Sequence, residues 1–192
     1  MSVSSLSVWF VASLVALIPA QGKPRVWTAP ETFFAKAEAR SGETAVASAT
    51  LSVQIDRYTP EADRKMMEEA LRTGGYPGFL QALRKAPVVG SVTVGDKKFA
   101  VRWAKQAPEG EGRVISVVTD TPIFFIGGGR PDAKPREGYE LAVLQLKLDA
   151  SGIGEGSMAA AARVKRGGAT GVQVDQYADQ PIKLASVRRE IK

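Results

Sequence analysis

From Ala45 to the end of the chain, apart from a stretch near residues 60–86 and the Gly- and Pro-rich loops between segments, apolar residues recur at every second position. That period confines most of the chain to β-strands with one buried and one wetted face. The clearest case is Tyr139–Asp149. Ala142, Leu144, Leu146 and Leu148 share one side, and Glu140, Gln145, Lys147 and Asp149 dominate the other. Successive strand side chains point to opposite faces, so this pattern packs one face and solvates the other. Ala49, Leu51, Val53 and Ile55 alternate with Thr50, Ser52, Gln54 and Asp56 in the same way. Val88–Val94 and Lys98–Lys105 flank Gly95-Asp96-Lys97, a hairpin connection. Arg113–Thr119, an edge segment Ile123–Ile126 after Pro122, Ser157–Arg166, Val172–Tyr177 and Ile182–Arg189 follow. The short turns between them imply antiparallel pairing.

Two helical signals interrupt this pattern. Thr28-Ala29-Pro30-Glu31 has capping-box spacing and Pro early in the first turn, predicting a short helix over 29–40 that ends at Gly42. Phe33, Phe34 and Ala37 would be its apolar side. Thr59-Pro60 then opens a second helical region, with Glu61 and Asp63 favouring the positive end of the helix dipole. Met66, Met67, Ala70 and Leu71 form one face, and Gly74-Gly75 ends the helix. Pro77 opens a shorter one carrying Phe79, Leu80 and Leu83, so an αα unit is expected. The class is α+β: a mostly antiparallel sheet, as an open barrel or curved sheet or sandwich, with that αα unit after the first strand and a short N-terminal helix.

The order of one strand, two short helices and an antiparallel meander resembles the start of the START/Bet v1-like ligand-binding families. Those families close their cup with a long C-terminal helix, whereas this chain ends in strand-like sequence. The resemblance therefore covers connectivity only and carries no residues across.

Val8–Ile18 is an uncharged apolar run followed by Pro19, Ala20 and Gln21. It is too short for a comfortable membrane span and fits a secretory h-region with cleavage after Ala20. The expected organisation is a signal segment at 1–20, a linker and short helix at 21–43, and one β-rich domain at 44–192. The expected location is secreted or periplasmic, with no membrane span in the mature chain.

Composition narrows the chemistry. The chain has no Cys and no His. Thiol nucleophiles, disulfides, Ser-His-Asp triads and histidine-ligated zinc are thereby excluded. A metal site would need oxygen ligands alone, and neither a metal nor any other cofactor is expected. The net charge of +6 suits anionic envelope partners, but no basic run is long enough to read as a nucleic-acid patch. The expected partners are an envelope protein, a lipid or an anionic polymer.

Several residues are candidates for a site. Gly127-Gly128-Gly129-Arg130 would present converging backbone N–H groups and a guanidinium to an anion. Asp120, Glu140, Asp149, Asp175 and Asp179 are the carboxylates from which an acid/base pair would be drawn. Met66, Leu71, Phe79 and Leu83, with Trp103, Tyr139 and Tyr177, would line a pocket between sheet and helices. Three functions follow: a non-catalytic exported binding domain using a sheet face or edge, a carrier of small hydrophobic ligands or lipids, or a hydrolase using carboxylates alone. The first needs no special residue and is the leading reading.

Overall fold

The computed structural model describes residues 27–41, 44–124 and 136–190 of the chain. The expected signal segment, the Gly127–Arg130 loop and the second half of the expected edge segment lie outside these residues. The described elements are β1 (Glu31–Ser41), β2 (Thr44–Ile55), α1 (Glu61–Lys85), β3 (Gly90–Val94), β4 (Lys97–Glu109), β5 (Gly112–Thr119), β6 (Leu141–Leu148), β7 (Ile153–Arg166), β8 (Val172–Tyr177) and β9 (Ile182–Arg189). Every pairing is antiparallel, in the order β6-β5-β4-β3-β2-β1-β9-β7-β8, and β6 also pairs with β7. That last pairing closes eight strands into a barrel, where sequence alone left an open sheet as an alternative.

The alternation decides what faces inward. Phe33, Ala35 and Ala37 of β1, Leu51, Val53 and Ile55 of β2, and Ala142, Leu144, Leu146 and Leu148 of β6 belong to one buried core. Ile115, Val117, Met158, Leu184 and Val187 complete its circumference. Eight strands enclose a space just wide enough for such side chains to fill. The outward positions of β1 and β2 carry Thr32, Lys36, Glu38, Thr50, Ser52 and Gln54. Apolar inside and polar outside is the inverse of a lipid-facing barrel. Where β7 passes close to β6, glycine is required: a Cβ at Gly156 would lie 2.3 Å from the Gln145 carbonyl oxygen.

Three expectations are corrected. Residues 31–41 form β1, not a helix. Phe33, Ala35 and Ala37 alternate with Thr32, Lys36 and Glu38, and pairing with both β2 and β9 outweighs the helix propensity of an Ala- and Glu-containing segment. The expected pair of helices is one 25-residue helical element, broken only at Gly75, whose φ of 59° is left-handed. The bend there is sharp, since a Cβ on Gly78 would fall 2.7 Å from the Ala70 carbonyl oxygen. Finally, Ile123 is not in an edge strand. It is buried in the barrel core, and its N–H donates to the Ala160 carbonyl at 2.8 Å.

Helix α1 packs on the outside of the barrel. Met67, Leu71, Phe79, Leu80 and Leu83 meet Trp103 of β4, Val118 of β5, Leu141 and Val143 of β6, and Ala162 and Val164 of β7. This second core explains why β5 and β6 are apolar on both faces over part of their length.

Strand β7 shares one of its edges between two partners. Residues Ile153–Met158 pair with β9, and Ala162–Arg166 pair with β8. The returning chain therefore follows β7 twice, first as β8 and then, after residues 178–181, as β9. Strand β9 continues to β1 and closes the barrel, while β8 is left at the end of the sheet. Thr170, in the β7–β8 turn, reaches the outer face of β5, where its hydroxyl lies 2.6 Å from that of Ser116. The hairpin thus folds back over the outside of the barrel.

Candidate functional site

One end of the barrel is plugged by a polar cluster. The Glu31 carboxylate is buried and accepts bonds from Arg113 Nη1 and Nη2 at 2.9 and 2.7 Å, Arg189 Nε at 2.9 Å and the Tyr58 hydroxyl at 2.6 Å. Arg113 also donates to Gln106 Oε1 at 2.7 Å and lies against the rings of Trp27 and Phe33. Burial first, and then the bond to Glu31, push the Tyr58 hydroxyl far above the ordinary tyrosine range. The buried pair, Glu31 and Arg113, is balanced as buried ions require, and Arg189 reaches it from the surface, its side chain 40% exposed. The carboxylate at its centre is fully buried and taken up by these partners, so we assign the cluster a structural part. Sequence reading missed it: Glu31 looked like a capping residue, and Arg113 like an ordinary strand start.

The residues expected to line a pocket fall in different places. Leu71, Phe79, Leu83 and Trp103 form the packed core under α1, with Phe79 and Trp103 edge-to-face at 6.2 Å. Met66 is half exposed on the helix. Tyr139 donates to Gln176 Oε1 at 2.9 Å beneath the Arg136 guanidinium. Tyr177 lines an open cavity, described below.

The candidate carboxylates are dispersed. Asp120 is bound by Arg102, which also donates to the Ala86 carbonyl. Glu140 accepts from the Tyr76 hydroxyl at 2.6 Å and from the Gly138 N–H at 3.0 Å. Burial raises the Glu140 pKa, but these bonds outweigh it and hold the group below the ordinary glutamate range. Asp149 organises the β6–β7 turn through the Ser151 hydroxyl and the N–H groups of Ser151 and Ile153, which lower its pKa. Asp175 pairs with Lys165 at 3.1 Å, and Asp179 is exposed between β8 and β9. Glu140 and Asp149 sit at opposite ends of β6, roughly 30 Å apart at 3.3 Å per residue. Among the described residues, no group of three or more carboxylates could hold a metal ion.

A concave feature lies on the outside of the barrel. A trough of about 390 Å³ is lined by Gln145 and Lys147 of β6, Glu155, Gly156 and Ser157 of β7, and Pro181, Ile182 and Lys183 at the start of β9. A second lobe of about 210 Å³ shares Gln145 and Ser157 and adds Val143, Ala159, Gln173, Val174 and Tyr177. The strand register builds the floor. Gln145 lies opposite Ser157, which lies opposite Lys183. The hairpin that folds back over β5 forms the near wall. The lysines at the rim are neutralised, Lys147 by Glu109 at 3.2 Å and Lys183 by Glu155 at 3.7 Å. The trough is thus a balanced polar surface with small apolar patches, suited to binding rather than proton transfer.

No family model matches the chain, and no curated protein or solved structure shows significant similarity to it.

Proposed function

We propose that this protein is an exported, non-catalytic binding domain of a bacterial-type cell envelope, and that its partner sits in the outer trough over β6, β7 and β9. One observation carries the reading. The barrel interior is filled by aliphatic side chains, while a two-lobed trough of ligand-site dimensions opens on its outside. A carrier would need its apolar space within the barrel or under α1, where Leu71, Phe79, Leu83 and Trp103 already pack together. A carboxylate hydrolase would need two acids in one cleft, and Glu140, Asp149 and Asp175 each serve a different local bond network. Export rests on the Val8–Ile18 run and Ala20, and the charge of +6 suits an anionic envelope.

The test is a trough-filling substitution. Ser157→Arg puts a long side chain across the floor shared by both lobes. It should release the protein from the envelope fraction of its host and leave the melting temperature nearly unchanged, as surface substitutions do. Unaltered envelope association would refute the trough as the site. A single change such as Glu140→Gln or Asp175→Asn that abolished the biological role at unchanged melting temperature would instead favour an enzyme.

A further inference from the structure

We infer that the occupant of the trough is an extended polypeptide segment that adds as a strand to the free edge of β8. This rests on the binding-domain reading above and specifies its partner. A closed barrel has no strand edges, because every strand has two neighbours. Here the barrel closes through β6–β7 and β9–β1, and β8 is excluded from the closure. Strand β8 pairs with β7 alone, so one row of its main-chain N–H and C=O groups has no ladder partner among the described residues. Such a row is a template for an incoming strand.

The trough lies where that strand would place its side chains. Gln173, Val174 and Tyr177 of β8 form a wall of the smaller lobe, and Tyr177 is 45% exposed. The smaller lobe is mostly polar, with Gln145, Ser157 and Gln173 beside Val174, since Val143 and Ala159 are buried; the larger one adds apolar surface at Pro181 and Ile182. Side chains two residues apart on an added strand point the same way. Residues at alternate positions would therefore descend toward the two lobes, polar ones over the smaller and an apolar one over the larger, while the others face water. The main-chain row supplies affinity and the lobes supply specificity, which is how strand addition divides its work.

Asp175 argues against a second copy of the chain as occupant. The β7–β8 register slips between Arg163 and Val164, so Asp175 is a bulged, exposed acid in the middle of β8. Two β8 edges paired antiparallel about their centres would set bulge against bulge, with the Asp175–Lys165 pairs side by side, and interrupt both ladders at one level. A foreign strand without a bulge of its own meets that interruption only once.

The experiment uses the full mature chain and a display library of random decapeptides, selected on the wild type and counter-selected on Ser157→Arg. The expected winners alternate trough-facing residues, at least one of them apolar, with polar ones that face water. A synthetic winner should slow amide exchange across Gln173–Tyr177. Methylating its alternate backbone amides should weaken binding at least about tenfold, because several main-chain hydrogen bonds are lost together. Winners that bind equally well when methylated on either set of alternate amides would overturn the inference. So would a library yielding no sequence that distinguishes wild type from Ser157→Arg. Binding of maltohexaose abolished by Ser157→Arg, or a Ser157→Arg-sensitive dimer in sedimentation, would replace the peptide with a glycan or a second copy. Either result would overturn strand addition and leave the trough as the binding site. Loss of the trough reading itself is registered separately, by envelope association that Ser157→Arg leaves unchanged.

Discussion

Replacing Glu31 by Gln should be among the most damaging isosteric changes available in this protein. The substitution keeps the side-chain shape and removes one charge. In the native barrel that carboxylate satisfies both terminal nitrogens of Arg113, the Nε of Arg189 and the Tyr58 hydroxyl. Arg113 is only 1% exposed, so after the change its charge stays buried with only neutral acceptors, Gln106 Oε1, the Tyr58 hydroxyl and the new amide oxygen, and no counter-charge. Removing one member of a buried pair costs about 3–5 kcal/mol, chiefly through the charge left behind. Arg113→Met should cost less, about 1.5–3 kcal/mol, because Glu31 keeps Arg189 and Tyr58 and loses only hydrogen bonds to a charged group. Combining the two should cost less than the sum, since the second change removes the orphaned guanidinium, with a coupling of about 0.5–3 kcal/mol. The assay is urea unfolding at pH 7 of the four proteins in the cycle. In a chain of this size each kcal/mol moves the melting temperature by about 2–4 °C. A Glu31→Gln cost below about 1 kcal/mol, or strict additivity, would refute the claim that the cluster is a coupled, buried charge network.

Two further outcomes follow from the geometry. Leu146→Ala, inside the barrel, should cost about 2–5 kcal/mol, whereas the neighbouring Lys147→Ala, on the outer face, should cost under about 1 kcal/mol in the same urea assay. The Glu140 pKa is lowered in the folded state, so its contribution is complete above the unfolded value of 4.5 and fades as pH falls through the lower folded value. The difference in urea midpoint between wild type and Glu140→Gln should therefore shrink below about pH 4.5; a difference that grew there would reverse the assigned sign.

The strand content was legible because alternation is a local property. Once Ala142, Leu144, Leu146 and Leu148 must share a face, the pleat admits one arrangement, and they do point into the core. The bend in α1 was announced by Gly74-Gly75 and Pro77, which act on the backbone without help from neighbours. Strand β1 was misread because its local chemistry favours a helix: a Thr-x-x-Glu start, a proline and several alanines. The competing signal was present as Phe33, Ala35 and Ala37 alternating with Thr32, Lys36 and Glu38. It won only because β2 and β9 offered partners on both sides.

What the sequence by itself determined, then, is what each short stretch does with its own backbone and faces, together with the reactions ruled out by the lack of Cys and His. Closure of the barrel, the pairing of Glu31 with Arg113 across 82 positions, and the trough needed the tertiary structure. Each depends on which strands become neighbours. Gln145, Ser157 and Lys183 are unremarkable polar residues on three separate strands. Only the register of β6, β7 and β9 sets them side by side, and only the exclusion of β8 from the closed ring leaves an open edge beside them.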